Sequence, residues 1–174
     1  LAADEPRGRV IELAKPSLAA ALNTGLRAAK FDLVARMDAD DTCRPARIER
    51  QAAFMREHPG VTVLGTAWDV VNHEGGLVRI ERPWPDPARA RWKLLLGNYL
   101  CHGSVMMRRD RVLQAGGYDE GLVYAQDYEL WLRLAGAGLS IANLPDLLYR
   151  YSEPGGRKHR EQARAASAAM ANAW

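Results

Sequence analysis

The sequence predicts an α/β domain with a mostly parallel central sheet flanked by helices. Three observations predict it. Apolar runs with strand character at residues 31–37 and 61–71 alternate with helical periodicities at 18–29 and 45–58. The first of these strands stops at a crowd of carboxylates, Asp38, Asp40 and Asp41, which a buried sheet interior would not tolerate. The chain of 174 residues, 48% hydrophobic and 26% charged, can bury one sizeable core.

The elements follow in order. Val10-Ile11 suggests a weak strand. Pro16-Ser17 starts a helix whose apolar series is Leu18, Ala21, Leu22, Leu26 and Ala29, with Gly25 weakening its interior. Phe31 to Met37 is a strand. Pro45 opens a helix with Ile48, Ala52 and Met55 on its apolar face, ended by Pro59-Gly60. VTVLGTAWDVV is a strand, Asn72 to Gly76 a turn, and residues 77–86 a connecting loop rich in proline and tryptophan. ARARWKLLLGN is helical. CHGSVMMRR returns to the sheet, and RDRVLQAGG is a short helix stopped by glycines. DYELWLRLAGAG is an amphipathic helix with Leu130, Leu134 and Trp131 facing inward, and SIANLPDLLYRY supplies one or two short strands. Residues 1–156 form the folded domain and 157–174 a basic, Ala-rich helical tail.

Charge and composition exclude several classes. The net charge of +3 is spread among interspersed acids, so no nucleic-acid-binding stripe is expected. No apolar run approaches the roughly 20 residues of a membrane span. The opening residues do not form a signal peptide. Cys43 and Cys101 make neither a CxxC motif nor a disulfide framework. A cytoplasmic setting is expected, with peripheral association at the inner face of a membrane compatible with the charge.

Asp38 and Asp40 sit where strand gives way to loop, the favoured place for a ligand in an open α/β fold. Oxygen ligands suit Mg²⁺ or Mn²⁺ bridging a carboxylate and a diphosphate. The same acids would also serve as a turn or helix cap before Pro45. Asp127, near a helix start, reads by spacing alone as an N-cap or first-turn acid facing the helix's positive end.

A wider set of motifs resembles the family 2 glycosyltransferases. ARMDADD is followed by RPARIERQAAFMREHPGVTVLGT, then CHGSVMMRRDRVLQAGGYDE, AQDYELWLRLAGAG and ANLPDLLYRY. The resemblance covers roughly residues 18 to 151 and implies an A-type nucleotide-diphospho-sugar transferase fold. It implies transfer of a sugar, with inversion, from a nucleoside-diphosphate donor to a hydroxyl-bearing saccharide or lipid-linked acceptor in polysaccharide or glycoconjugate synthesis. By resemblance, Asp38 contacts the donor nucleotide, Asp40 carries the divalent ion, Asn23 packs at or near the nucleotide, and Asp127 is the general base. Asp41 is a supporting or capping residue.

His102, Trp84 and Gln126 are acceptor-side or supporting candidates; relatives often carry proline where this chain has Gly103, and an acid where it has Gln126. Trp68 and Trp131 suit the core, Glu129 a solvated helix face. Arg150, Tyr151 and GGRKHR offer groups to a diphosphate, and a solvated charge run explains GGRKHR equally well. The family's first strand, with its base-recognising residues, has no complete counterpart before residue 18, so another protein segment or an oligomer would complete the site. Two other readings remain open: a noncatalytic carbohydrate-binding or assembly domain on an incomplete scaffold, and a nucleotidyltransferase.

Overall fold

The computed structural model describes residues 7–14, 16–84, 86 and 92–153. Its helices are α1 (Leu18–Ala28), α2 (Arg47–Glu57), α3 (Arg109–Gln114) and α4 (Gln126–Gly136). Its strands are β1 (Leu33–Ala35), β2 (Thr42–Cys43), β3 (Val61–Val71), β4 (Leu77–Glu81), β5 (Met106–Arg108) and β6 (Ser140–Ser152). They form a single sheet in the order β1-β5-β3-β6-β2, with β4 also paired to β3.

The α/β class holds, but the sheet is mixed rather than mostly parallel. Among the described residues only β3 and β6 pair in parallel; the β1–β5, β3–β5, β3–β4 and β2–β6 ladders are antiparallel. The reason is one inserted strand. β5 runs antiparallel to both β1 and β3, so β1, β3 and β6 still share a direction. At the far end of β3, β4 folds back as a hairpin. Its turn is held by Asn72, whose Oδ1 accepts from the Glu74 and Gly76 amides at 3.0 and 2.8 Å. Residues 77–81 are therefore strand, not loop. They are largely exposed, so their apolar residues carried no period that would distinguish them.

Side-chain alternation makes both faces of the sheet a core. Val63, Met107 and Ile141 lie side by side and pack with Leu26, Val112, Leu130, Trp131 and Leu134 from α1, α3 and α4. Their chain neighbours Leu64, Met106 and Ala142 point the other way, to Met55 of α2. β3 is buried along almost its whole length, as a two-sided central strand requires.

Several expectations shift. α1 is capped by Ser17, whose Oγ accepts from the Ala20 amide at 3.2 Å. Its buried residues are Ala19, Asn23 and Leu26, while Leu18 is half exposed. β1 is shorter than residues 31–37, with Phe31 and Met37 exposed beyond its ends. In α2 the buried residues are Arg47, Gln51 and Met55, and Ile48 faces out. Hydrophobic periodicity missed that face because two of its three members are polar. β6 is one strand where one or two were expected. Pro145 falls at a register shift where Leu144 pairs with Thr66 and Leu147 with Ala67, so the proline is accommodated in a bulge. Val10 and Ile11 form no strand and are exposed. Only residues 92–94 of the expected 88–98 helix are helical among the described residues. The 157–174 tail lies outside the described residues.

Candidate active site

The acidic turn connects β1 to β2, and β2 pins it to the sheet by pairing Thr42 with Arg150 and Cys43 with Tyr149. Three carboxylates on this turn have three different environments. Asp38 is gripped by Arg36: guanidinium Nη1 donates to Oδ2 at 2.7 Å and Nη2 to Oδ1. Asp41 is 4% exposed. Its Oδ2 accepts from the Tyr149 hydroxyl at 2.5 Å and its Oδ1 from the Ser152 amide at 2.8 Å. Burial, the largest influence, still leaves its pKa above the usual carboxylate range, with Asp38 and Asp40 adding to the shift. Asp40 is exposed at the tip, and its carboxylate has no hydrogen-bond partner among the described residues.

Asp127 comes from the opposite side. It occupies the first turn of α4, two residues after Ala125, whose φ of 57° is left-handed. A residue with a Cβ pays a steric cost there, and such strain is typical of segments that aim a functional group. Asn98 Nδ2 donates to Asp127 Oδ2 at 2.7 Å. Burial raises the Asp127 pKa, opposed by the amides of Tyr128 and Asp127, by Asn98 and by the positive charge of Arg36.

A pocket of about 290 Å³ joins the two sides. Asp38, Trp68, Arg79, Leu100, Cys101, His102, Gly103, Asp127 and Tyr151 line it. His102 Nε2 lies 2.8 Å from the Tyr118 hydroxyl, and its ring stands edge-on to Trp131 at 5.8 Å. Burial, helped by Arg36, holds its pKa well below the ordinary histidine value, so the ring is neutral at pH 7. Burial pushes the Cys101 thiol up to about 12, which leaves it inert as a nucleophile. Both cysteines are free.

The structure brings Asp38, His102 and Asp127 to one pocket and puts Asp40 beside it on the same turn. It does not bring Asn23 there. The Asn23 amide donates to the Tyr118 carbonyl and Glu120 Oε1, each at 2.8 Å, and its oxygen accepts from the Tyr118 amide at 2.8 Å. That side chain staples α1 to the loop after α3 and faces a separate groove with Arg27 and Arg133. Gln126 is buried with Oε1 unpartnered, and is absent from the pocket wall. Trp84 lies at the surface with Lys93 5.1 Å from its ring. Arg150 binds Asp69 at 2.8 Å instead of turning to the pocket. Glu129 pairs with Arg133 one turn on. Ser104 is fully buried and donates to the Cys101 carbonyl at 2.8 Å. GGRKHR lies outside the described residues.

Trp68, Arg36, Asn98 and Tyr149 were not singled out as site residues. Trp68 followed the buried period of β3, yet it borders the pocket where that strand nears its end. Asn98 and Tyr149 act through contacts distant in sequence, which periodicity does not reveal, and Arg36 grips an acid only two residues away.

A divalent ion fits the donor set in one way only. Among the described residues no group of three or more His, Cys, Asp or Glu side chains could cage a metal. The uncommitted Asp40 carboxylate is nevertheless what Mg²⁺ or Mn²⁺ needs when diphosphate oxygens and water complete its shell.

The sequence model described as Glycosyl transferase family 2 matches residues 1–114, beginning before residue 18. The amylovoran biosynthesis glycosyltransferase AmsE of Erwinia amylovora is 39% identical over 133 residues, 76% of this chain and 49% of that protein. The O-antigen biosynthesis glycosyltransferase WbnJ of Escherichia coli is 30% identical over 147 residues, 83% of this chain and 57% of that one. The chain thus spans about half the length of these curated relatives. A crystal structure of S. aureus TarS in complex with UDP-GlcNAc matches with a TM-score of 0.61 and 19% identity. The match covers 86% of this chain and 43% of that one, and at this identity it establishes the fold alone. No helix among the described residues is long and apolar enough to cross a membrane.

Proposed function

We propose, from the premise that the chain belongs to glycosyl transferase family 2, that it transfers a sugar from a nucleoside diphosphate to a hydroxyl acceptor with inversion. The product would be a polysaccharide, O-antigen or related glycoconjugate, as the relatives' names say of them. One observation carries the reading: a single pocket is walled on one side by Asp38 of the acidic turn and on the other by Asp127 of α4.

The acceptor hydroxyl oxygen bonds to the anomeric carbon while the bond from that carbon to the diphosphate oxygen breaks. The hydroxyl proton passes to the Asp127 carboxylate, and the nucleoside diphosphate leaves with the bonding pair. Attack opposite the leaving group inverts the centre. A carboxylate made more basic by burial is better matched to this proton than a solvated one. Asn98 fixes one of its oxygens, which orients the carboxylate. Asp38 would meet the nucleotide, with Arg36 holding it in place. Trp68 presents an aromatic wall to a sugar ring, and neutral His102 can orient an acceptor without adding charge. Asp40 would hold Mg²⁺ or Mn²⁺, whose charge offsets that developing on the departing diphosphate. A cytoplasmic setting, at the membrane face when the acceptor is lipid-linked, belongs to the same proposal.

Calorimetry with UDP, GDP and dTDP, with and without Mn²⁺ or Mg²⁺, tests the donor reading. Metal-dependent binding that disappears in Asp40→Ala supports it; a folded chain that binds none of them refutes autonomous donor binding. Product analysis separates sugar transfer, which releases nucleoside diphosphate, from nucleotide transfer, which releases pyrophosphate.

A further inference from the structure

Tyr149 stands on β6, far from the acidic turn in sequence, and is fully buried. Its hydroxyl donates to Asp41 Oδ2 at 2.5 Å and accepts from the Asp38 amide at 3.3 Å. One oxygen atom thus ties both ends of the turn that carries Asp40 at its tip. The turn closes on itself as well, with the Asp41 amide donating to the Asp38 carbonyl at 3.3 Å. Ser152, also on β6, holds the second Asp41 oxygen. The Tyr149 ring is itself held under the Arg47 guanidinium, 4.9 Å from its centroid.

The hydroxyl fits only because residue 103 lacks a side chain. A Cβ there would stand 2.0 Å from the Tyr149 hydroxyl oxygen and 2.5 Å from Cζ, closer than atoms can approach.

We propose that Tyr149 is a positioning residue for the Asp40 carboxylate, latching the acidic turn to β6 through a hydroxyl for which Gly103 makes room. The proposal rests on the donor-site reading above in assigning Asp40 to a divalent cation. Outer partners that orient a ligand typically change metal affinity by about 10- to 100-fold when removed.

The test uses the full chain and Tyr149→Phe, which keeps the ring and removes the hydroxyl. Amide hydrogen exchange and calorimetry with UDP, in Mn²⁺ or in EDTA, are the two arms. The latch predicts cooperative melting and faster exchange at the Asp38 and Asp41 amides, with the α4 amides of Leu130 and Leu134 unchanged. It also predicts UDP affinity about tenfold weaker in Mn²⁺ and unaltered in EDTA. Equal weakening in both calorimetric arms would mark a general structural role and overturn the proposal. Unchanged exchange at Asp38 and Asp41 overturns it whatever the nucleotide does. If wild type binds no UDP in either arm, the donor reading fails for UDP while the exchange arm still decides the latch. If Tyr149→Phe does not melt cooperatively, Gly103→Ala carries the same two arms, because its methyl group must displace the hydroxyl.

Discussion

Asp41 is buried and Asp127 half-buried, and in both burial is the leading influence raising the pKa. Their surroundings differ in what is left over. Asp41 has each oxygen engaged, by Tyr149 and by Ser152, and lies within the protein. Asp127 has one side-chain partner, Asn98, and borders an open pocket. A raised carboxylate pKa therefore does not identify a base by itself. The distinguishing feature is whether an oxygen remains turned toward a space that a substrate can enter.

The sharpest way to break the contrast is Asp127→Asn. Turnover should fall by about 10²- to 10⁴-fold if the proton goes to Asp127, read as sugar released from donor to acceptor. Stability should not fall. A folded-state pKa above the unfolded one gives a contribution that is present at low pH and lost as pH rises through the folded value. Above that folded value the wild type bears an unfavourable charged carboxylate that asparagine does not. A lower melting temperature in the variant would contradict this.

Asp41→Ala should do the reverse, acting on stability first. It strands the Tyr149 hydroxyl and the Ser152 amide, both bonded to that carboxyl group, at a cost of about 3 kcal/mol in all. Denaturant titration measures it, and a loss below about 1 kcal/mol would mean water replaces the carboxylate.

Asn98→Ala refines the Asp127 half of the comparison. The Asn98 hydrogen bond lowers the Asp127 pKa, so its removal should raise that pKa further and move the acid limb of the pH–rate profile to higher pH. An unmoved limb would assign that limb to another group. The smallest structural effect is expected at Asp40→Ala, an exposed carboxylate without a hydrogen-bond partner among the described residues. Its unfolding free energy should change by less than about 0.5 kcal/mol, while metal-dependent nucleotide binding is lost.

Much of this fold was legible because local signals agreed with tertiary ones. Ser17 capped α1, Val61–Val71 formed the central strand, and Gly116 and Gly117 ended α3 with φ of 101° and 67°. The acidic turn was visible as an interruption of an apolar pattern, and the Asp127 helix by its amphipathic period. What was not legible depended on partners distant in sequence. Arg47 and Gln51 look like a solvent face, yet Arg47 donates to the Arg36 carbonyl at 2.7 Å and Gln51 to the Leu64 and Ser104 carbonyls at 2.8 and 2.9 Å. Polar side chains that satisfy buried backbone groups invert the hydrophobic rule. SIANLPDLLYRY likewise left one strand or two open, because the bulge at Pro145 is a property of two strands and only one is local. Asn23 matched a motif that packs near the nucleotide, but Tyr118 and Glu120 occupy its hydrogen-bonding groups.

The parallel pairing of β3 with β6, from Val61 opposite Ser140 to Val71 opposite Ser152, has a kinetic side. Residues 72–139 lie between the two strands, so this ladder closes a long loop, and its entropy cost precedes any gain from the contacts. During synthesis from the amino terminus, β3 can acquire its hairpin partner β4 at once. Its opposite edge stays open until β6 has been made. That edge belongs to an apolar strand, the kind that recruits other chains. The element that completes the wall beside the acidic turn is therefore also the one that ends the nascent chain's exposure to aggregation.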